Sequence, residues 1–119
     1  MANSKETGNF GEQLALNYLK QLGMQILAVN WRAGQAEIDI VALDNGIPVF
    51  IEVKSRSTHR FGHPEAAVGP AKQRQIRKAA EAYIAQKNIE TEVRFDIIAI
   101  TYKKEGPEVV HIRDAFFGY

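Results

Sequence analysis

Residues 37–56, EIDIVALDNGIPVFIEVKSR, decide how the rest of the chain is read. Asn45-Gly46 is the favoured central pair of a two-residue type I′ hairpin turn, because both positions must take positive φ. With that loop Asp44 faces Ile47, Asp39 lies across from Glu52, and Glu37 lies across from Lys54. A four-residue loop keeps this register and an odd loop length shifts it by one. Alternation then places Glu37, Asp39, Val41, Phe50, Glu52 and Lys54 on one face. Ile38, Ile40, Val49, Ile51 and Val53 cover the other face, which reads as core.

Two carboxylates directly opposed in a ladder have Cβ atoms roughly 4.5–5.5 Å apart, and they repel unless a cation or a proton joins them. Hard divalent ions such as Mg²⁺ bind through one or two carboxylates, with water and phosphate oxygens completing an octahedron. Lys54 projects from the same face about 6.5–7 Å beyond Glu52, where an ammonium can orient water or meet charge on a phosphate. The plainer alternative is a wet sheet face with an ordinary Glu37–Lys54 ion pair. Phe50 on that face argues for a partly covered cleft instead.

Outward from the hairpin, periodicity predicts a helix from Glu6 to Leu22, stopped by Gly23. Leu14, Ala15, Tyr18, Leu19 and Leu22 form its apolar stripe, and Glu12 lies at the stripe's edge, about 20° around from Leu19. Gly8 and Gly11 face the packed side, where another backbone can approach closely. Strands are expected at 25–32, 37–43 and 48–55, then a surface loop over 57–70 with two Gly and two Pro. A second helix follows at 71–86, with Ile76, Ala79, Ala80, Tyr83 and Ile84 turned inward. Residues 93–102, VRFDIIAITY, form an apolar run suited to a strand buried on both faces, and a short strand is expected at 108–113. The order α-β-β-β-α-β-β describes an α/β fold with a mixed central β-sheet flanked by helices, the second helix making a parallel crossover.

At 119 residues the chain reads as a single domain, 1–119, with residues 1–5 a loose tail. A 45% apolar and 24% charged composition excludes disorder, and the absence of cysteine excludes disulfides and thiolate metal sites. No apolar stretch approaches the roughly 20 residues a membrane helix needs, and no secretory signal opens the chain, so a cytoplasmic protein with no membrane partner is expected. The net charge of +1 hides an asymmetry. Between Lys54 and Lys78 stand Lys54, Arg56, Arg60, Lys72, Arg74, Arg77 and Lys78 against the single acid Glu65, a local +6 that leaves −5 elsewhere. Such a patch attracts phosphates, although a solvated helix face has the same composition.

Read in order, GEQLALNYL, NWR, AEIDIVA, VFIEVKSR, FGHPEAAVGPAKQRQI and FDIIAI resemble the YraN-like family of uncharacterised bacterial proteins. That family is similar to archaeal Holliday-junction resolvases and to the restriction-endonuclease-like PD-(D/E)XK nucleases, whose signature is Asp followed by Glu-x-Lys. The resemblance implies a restriction-endonuclease-like domain and a Mg²⁺- or Mn²⁺-dependent endonuclease acting on DNA rather than RNA, branched or junction DNA included. It implies metal ligands at Glu12, Asp39, Glu52 and the backbone carbonyl of Val53, and Lys54 as the fourth catalytic position. Arg56, Lys72 and Arg74 are the candidate phosphate contacts. One position departs from the family pattern: Ala36 stands where Gly is usual, which would strain the strand entry if a positive φ were needed there.

Two other classes compete. One is a non-catalytic nucleic-acid-binding module that keeps the acidic set, with salt-sensitive binding and no turnover. The other is a protein-interaction domain using Phe116, Phe117 and Tyr119, for instance as a homodimer, although such an aromatic end more often closes its own core. His59, His63 and His111 lack metal-ligand spacing and read as surface residues. Asn30 and Trp31, just before Arg32 at the end of the first strand, read as packing, with base stacking the alternative.

Overall fold

The structure, a computed structural model, describes residues 4–56 and 68–116, with side chains from Phe10 onward. Most of the 57–70 loop, Arg60, His59, His63, Phe117, Tyr119 and the packing of Gly8 lie outside the described residues. The elements are α1 (Ser4–Gln21), β1 (Gln25–Ala33), β2 (Ala36–Asp44), β3 (Ile47–Arg56), α2 (Pro70–Lys87), β4 (Arg94–Lys103) and β5 (Gly106–Ile112). The α-β-β-β-α-β-β order is the expected one. Helix α1 opens at Ser4, so two residues of the expected tail are helical.

The five strands form one sheet in the order β1-β2-β3-β4-β5. Only β3 and β4 run parallel, joined through α2, so the sheet is mixed as the crossover predicts. Asn45 and Gly46 take φ of 51° and 86°, the type I′ signature, and β2 and β3 pair in the expected register from Asp44↔Ile47 to Ile40↔Ile51. Helix α2 starts at Pro70, whose missing N–H is no loss there, and ends where Asn88 adopts the left-handed conformation.

Core forms on both faces of the sheet. Ala15 and Leu19 of α1 pack on Ile40, Val49, Ile51, Ile98 and Ile100. Ile76, Ala79, Ala80 and Tyr83 of α2 pack on Val41, Phe50, Phe95 and Ile97. Each such aliphatic or aromatic side chain removed from water contributes about 1.5–3 kcal/mol before entropy is counted. Among the described residues, no helix is long and apolar enough to cross a membrane.

Three expectations change. Phe50 lines no cleft: α2 lies over that half of the sheet, and Phe50 is fully buried between Tyr83 and Phe95. Ile38 joins the α2-side cluster rather than Ile40's, because the strand alternation lapses at Asp39. Ala36 carries no positive φ; Gly34, in the turn before it, takes φ 62° instead, and Ala36 pairs with Ala33 without strain. The aromatic end does close its own core at Phe116, which is buried against Phe95.

Candidate active site

The site begins where β2 and β3 part. Strands β2 and β3 pair no further than Ile40↔Ile51, and the β1–β2 ladder passes from Val29↔Ile40 to Trp31↔Ile38, leaving out Asn30 and Asp39. Asn30 takes φ 53°, a left-handed conformation Asn tolerates better than other non-glycine residues. Asp39 therefore stands at a gap in both ladders. Its Oδ2 accepts the Val53 N–H at 2.8 Å, replacing the strand partner that amide would otherwise lack.

This parting alters the expected pairs. Glu37 does not meet Lys54; it pairs with Arg32 of β1 at 2.8 Å, next to the Gly34 turn. Lys54 turns to Glu52, its Nζ 3.6 Å from Oε2. Lys72 of α2 approaches the same oxygen at 3.5 Å. Two ammonium groups thus converge on one buried carboxyl, since Glu52 is 4% exposed. Burial above all, then a hydrogen bond to Asp39 and that residue's charge, push Glu52 up to about 8, against the pull of Lys72 and Lys54.

Glu12 reaches this region from the other face of the sheet. Gly11 eases that approach: a Cβ there would run into Ser55 Oγ and come within 3.1 Å of the Tyr102 hydroxyl, so a larger residue would have to shift those side chains for α1 to lie this close to β3 and β4. Glu12 Oε1 accepts a hydrogen bond from Asn30 Nδ2 at 3.2 Å. Partial burial raises its pKa, the Asn30 bond lowers it, and the charges of Asp39 and Glu37 raise it again. Glu12 is therefore within the field of Asp39. Even so, among the described residues no three acidic or imidazole groups stand close enough to hold an ion jointly. The structure brings Asp39 and Glu52 together, with Lys54 and Lys72 around them; Glu12 is beside them and bound to Asn30.

The remaining predicted positions divide. Val53 belongs to the site through its amide, as Asp39's donor. Lys72 is a partner of Glu52 rather than a free outward charge. Arg56 is half-buried at the end of β3 beside Thr101, and Arg74 is exposed on α2. The donor set suits a divalent cation in one respect. Two carboxyl groups linked by a hydrogen bond must share a proton, and a hard cation can take the place of that proton.

Three residues of consequence were read too plainly from sequence. Asn30 positions Glu12, and its signal was an Asn interrupting a strand. His111 is not a surface residue: its side chain is 4% exposed, with Nε2 2.8 Å from Asp96 Oδ2 and Nδ1 3.2 Å from the Tyr18 hydroxyl. Burial by α1 and β4 accounts for this, since β5 carries His111 beneath Tyr18. Asp96 is fully buried in the apolar run of β4, and a lone acid inside such a run is itself a sign of buried pairing.

The sequence pattern of the uncharacterised protein family UPF0102 matches residues 11–100. The chain belongs to this family. A UPF0102 protein of Christiangramia forsetii is 44% identical over 117 residues, 98% of each chain. One from Flavobacterium psychrophilum is 40% identical over 119 residues, the full length of both. One from Geotalea daltonii is 47% identical over 116 residues, 96% of this chain and 91% of that one. UPF0102 membership agrees with the YraN-like resemblance of the motifs. Among solved structures, the crystal structure of SSO0001 superposes with a TM-score of 0.48 at 16% identity over 98% of this chain, which spans 55% of that one. Pyrococcus furiosus SfsA in complex with Ca²⁺ gives a TM-score of 0.41 at 14% identity over 93% of this chain and 64% of that one. Neither likeness bears on what this chain does.

Proposed function

We propose that this UPF0102 protein is a metal-dependent nuclease that hydrolyses phosphodiester bonds in DNA. The observation that carries the reading is the Asp39–Glu52 carboxyl pair at the ladder gap, flanked by Lys54 and Lys72. The Asp-then-Glu-x-Lys order supports it, as does the basic excess between Lys54 and Lys78. Asp39 and Glu52 would hold Mg²⁺ or Mn²⁺, with Glu12 and the Val53 carbonyl as the further ligands the resemblance implies. When bound, such an ion makes water more acidic and offsets charge on the attacked phosphate. Lys54 would hydrogen-bond the attacking water and orient it in line with the scissile bond. Glu52, once deprotonated, would be free to accept a proton from that water. Arg74 and, at the rim, Arg56 would contact backbone phosphates, which positions a duplex without reading its sequence. Branched or junction DNA is the substrate to try first.

The test is magnesium-dependent cleavage of branched and single-stranded DNA, wild type against Asp39→Ala. Loss of cleavage in the variant supports the reading, and equal cleavage by both proteins overturns it. One observation favours a second reading, a nucleic-acid-binding module without turnover: Glu12 is bound to Asn30 and does not complete a three-carboxylate set. That module would bind DNA in a salt-dependent manner and leave every substrate intact.

A further inference from the structure

Lys72 lies in the first turn of α2, where the positive end of the helix dipole disfavours a cation. No acidic residue stands in that turn to offset it. Its Nζ nevertheless comes within 3.5 Å of Glu52 Oε2, the same oxygen that Lys54 approaches at 3.6 Å. At these distances neither contact is a short, well-made hydrogen bond. Both ammonium groups remain partly open, with side chains 40% and 35% exposed, while Glu52 is buried. Two ammonium groups thus crowd one oxygen of a single buried carboxyl. The two cations also come from different elements, β3 and α2.

We infer that Lys72 holds the place beside Glu52 that a divalent cation would take, and that it transfers to a substrate phosphate when a metal ion binds. The inference rests on the nuclease reading above. It follows from charge: a divalent ion against Glu52 and Asp39 repels both ammonium groups. Lys54 is assigned to the attacking water in that reading, so Lys72, on its flexible stem at the start of α2, is the one that moves to the substrate. Displaced from Glu52, its ammonium remains at the mouth of the site, where a phosphate presents negative oxygens. Lys72 is thus a competitor for the metal and a partner for the substrate, two roles with opposite consequences for one substitution.

The experiment measures Mg²⁺ or Mn²⁺ binding to the intact chain by calorimetry without DNA, as the limiting affinity reached at alkaline pH, where protons no longer compete. Lys72→Met should bind the ion on the order of tenfold more tightly than wild type, because one like charge beside it is gone. The same variant should bind DNA more weakly, with the salt slope reduced by about one. Lys72→Arg should behave as wild type in both, and Lys78→Met, exposed on the same helix, should leave metal affinity unchanged. Lys72→Gln repeats the measurement if the methionine variant does not fold, and circular dichroism checks both. Metal affinity that is equal or weaker in Lys72→Met and Lys72→Gln overturns the role of Lys72 and leaves the nuclease reading standing. Failure of wild type and variants alike to bind either ion overturns both.

Discussion

Glu52 and Asp96 are buried acids on neighbouring parallel strands, and their surroundings are opposites. Asp96 lies level with Ile51 on the α1 face; Glu52, one residue farther along, looks toward α2. Asp96 Oδ1 accepts from Arg94 Nε at 2.9 Å and from the Asp114 amide at 3.0 Å. Its Oδ2 accepts from the second Arg94 nitrogen at 3.0 Å and meets His111 at 2.8 Å. Burial alone would raise its pKa, but the bonds to His111, Arg94 and the Asp114 amide, with the charge of Arg94, lower it below the usual value. Glu52 has two looser cationic contacts and an acidic neighbour, and its pKa goes the other way. A buried acid whose lone pairs are all taken holds the fold together; one that shares a proton with another acid is prepared to exchange it for something else. In this chain Asp96 fastens β4 to β5 and to the C-terminal turn, while Glu52 is held by two loose contacts and carries a raised pKa.

The contrast is broken most sharply at Asp96. Asp96→Ala leaves Arg94 and His111 facing an empty position and should cost about 3–5 kcal/mol of stability by urea unfolding. The lowered pKa of Asp96 also means that its contribution is present above its ordinary value of 3.8 and is lost as pH falls through the lower native value. A loss below about 1 kcal/mol would show that the network is not structural.

Glu52→Gln should act in the opposite direction. In the native protein Glu52 keeps its proton up to about 8, whereas the unfolded chain releases it near 4.5. Its presence is therefore least costly below the lower value, and stability falls as pH climbs between the two. The glutamine variant should be more stable by on the order of 3 kcal/mol above that window, with little gain at acid pH, and it should lose metal binding. A gain independent of pH would mean that Glu52 is not the strained acid.

Helix α1 serves both clusters, through Tyr18 at His111 and Glu12 near Asp39. Gly11→Ala should separate them, costing about 1 kcal/mol and displacing the Glu12 end, with Gly11→Ala/Ser55→Ala regaining most of the loss. The smallest effect is expected at Asn30. Asn30→Gly keeps the left-handed conformation and loses an exposed hydrogen bond, so stability should change by less than about 1 kcal/mol. Asn30→Val, which resists that conformation, should cost about 1–2 kcal/mol by the same unfolding assay.

Local rules carried much of this protein. Asn45-Gly46 set the turn, and with it the register from Asp44 to Ile40, because a two-residue loop admits only one pairing. The unbroken apolar run of β4 marked a strand covered on both sides, and the 3.6-residue spacing of Ile76, Ala79, Ala80 and Tyr83 marked the face of α2 that packs. The order of acids and lysine along the chain singled out Asp39, Glu52 and Lys54 for the nuclease proposal, and in the structure Glu52 lies beside both of the others.

Tertiary contacts decided the rest. The parting of β2 from β3 at Asp39, the turning of Glu37 to Arg32 and the reach of Lys72 to Glu52 depend on segments separated by tens of residues, which no local period encodes. The same holds for the fates of Asp96 and Glu52. An acid's chemistry follows from which donors and charges surround it after burial, and those arrive from elements the sequence places far away.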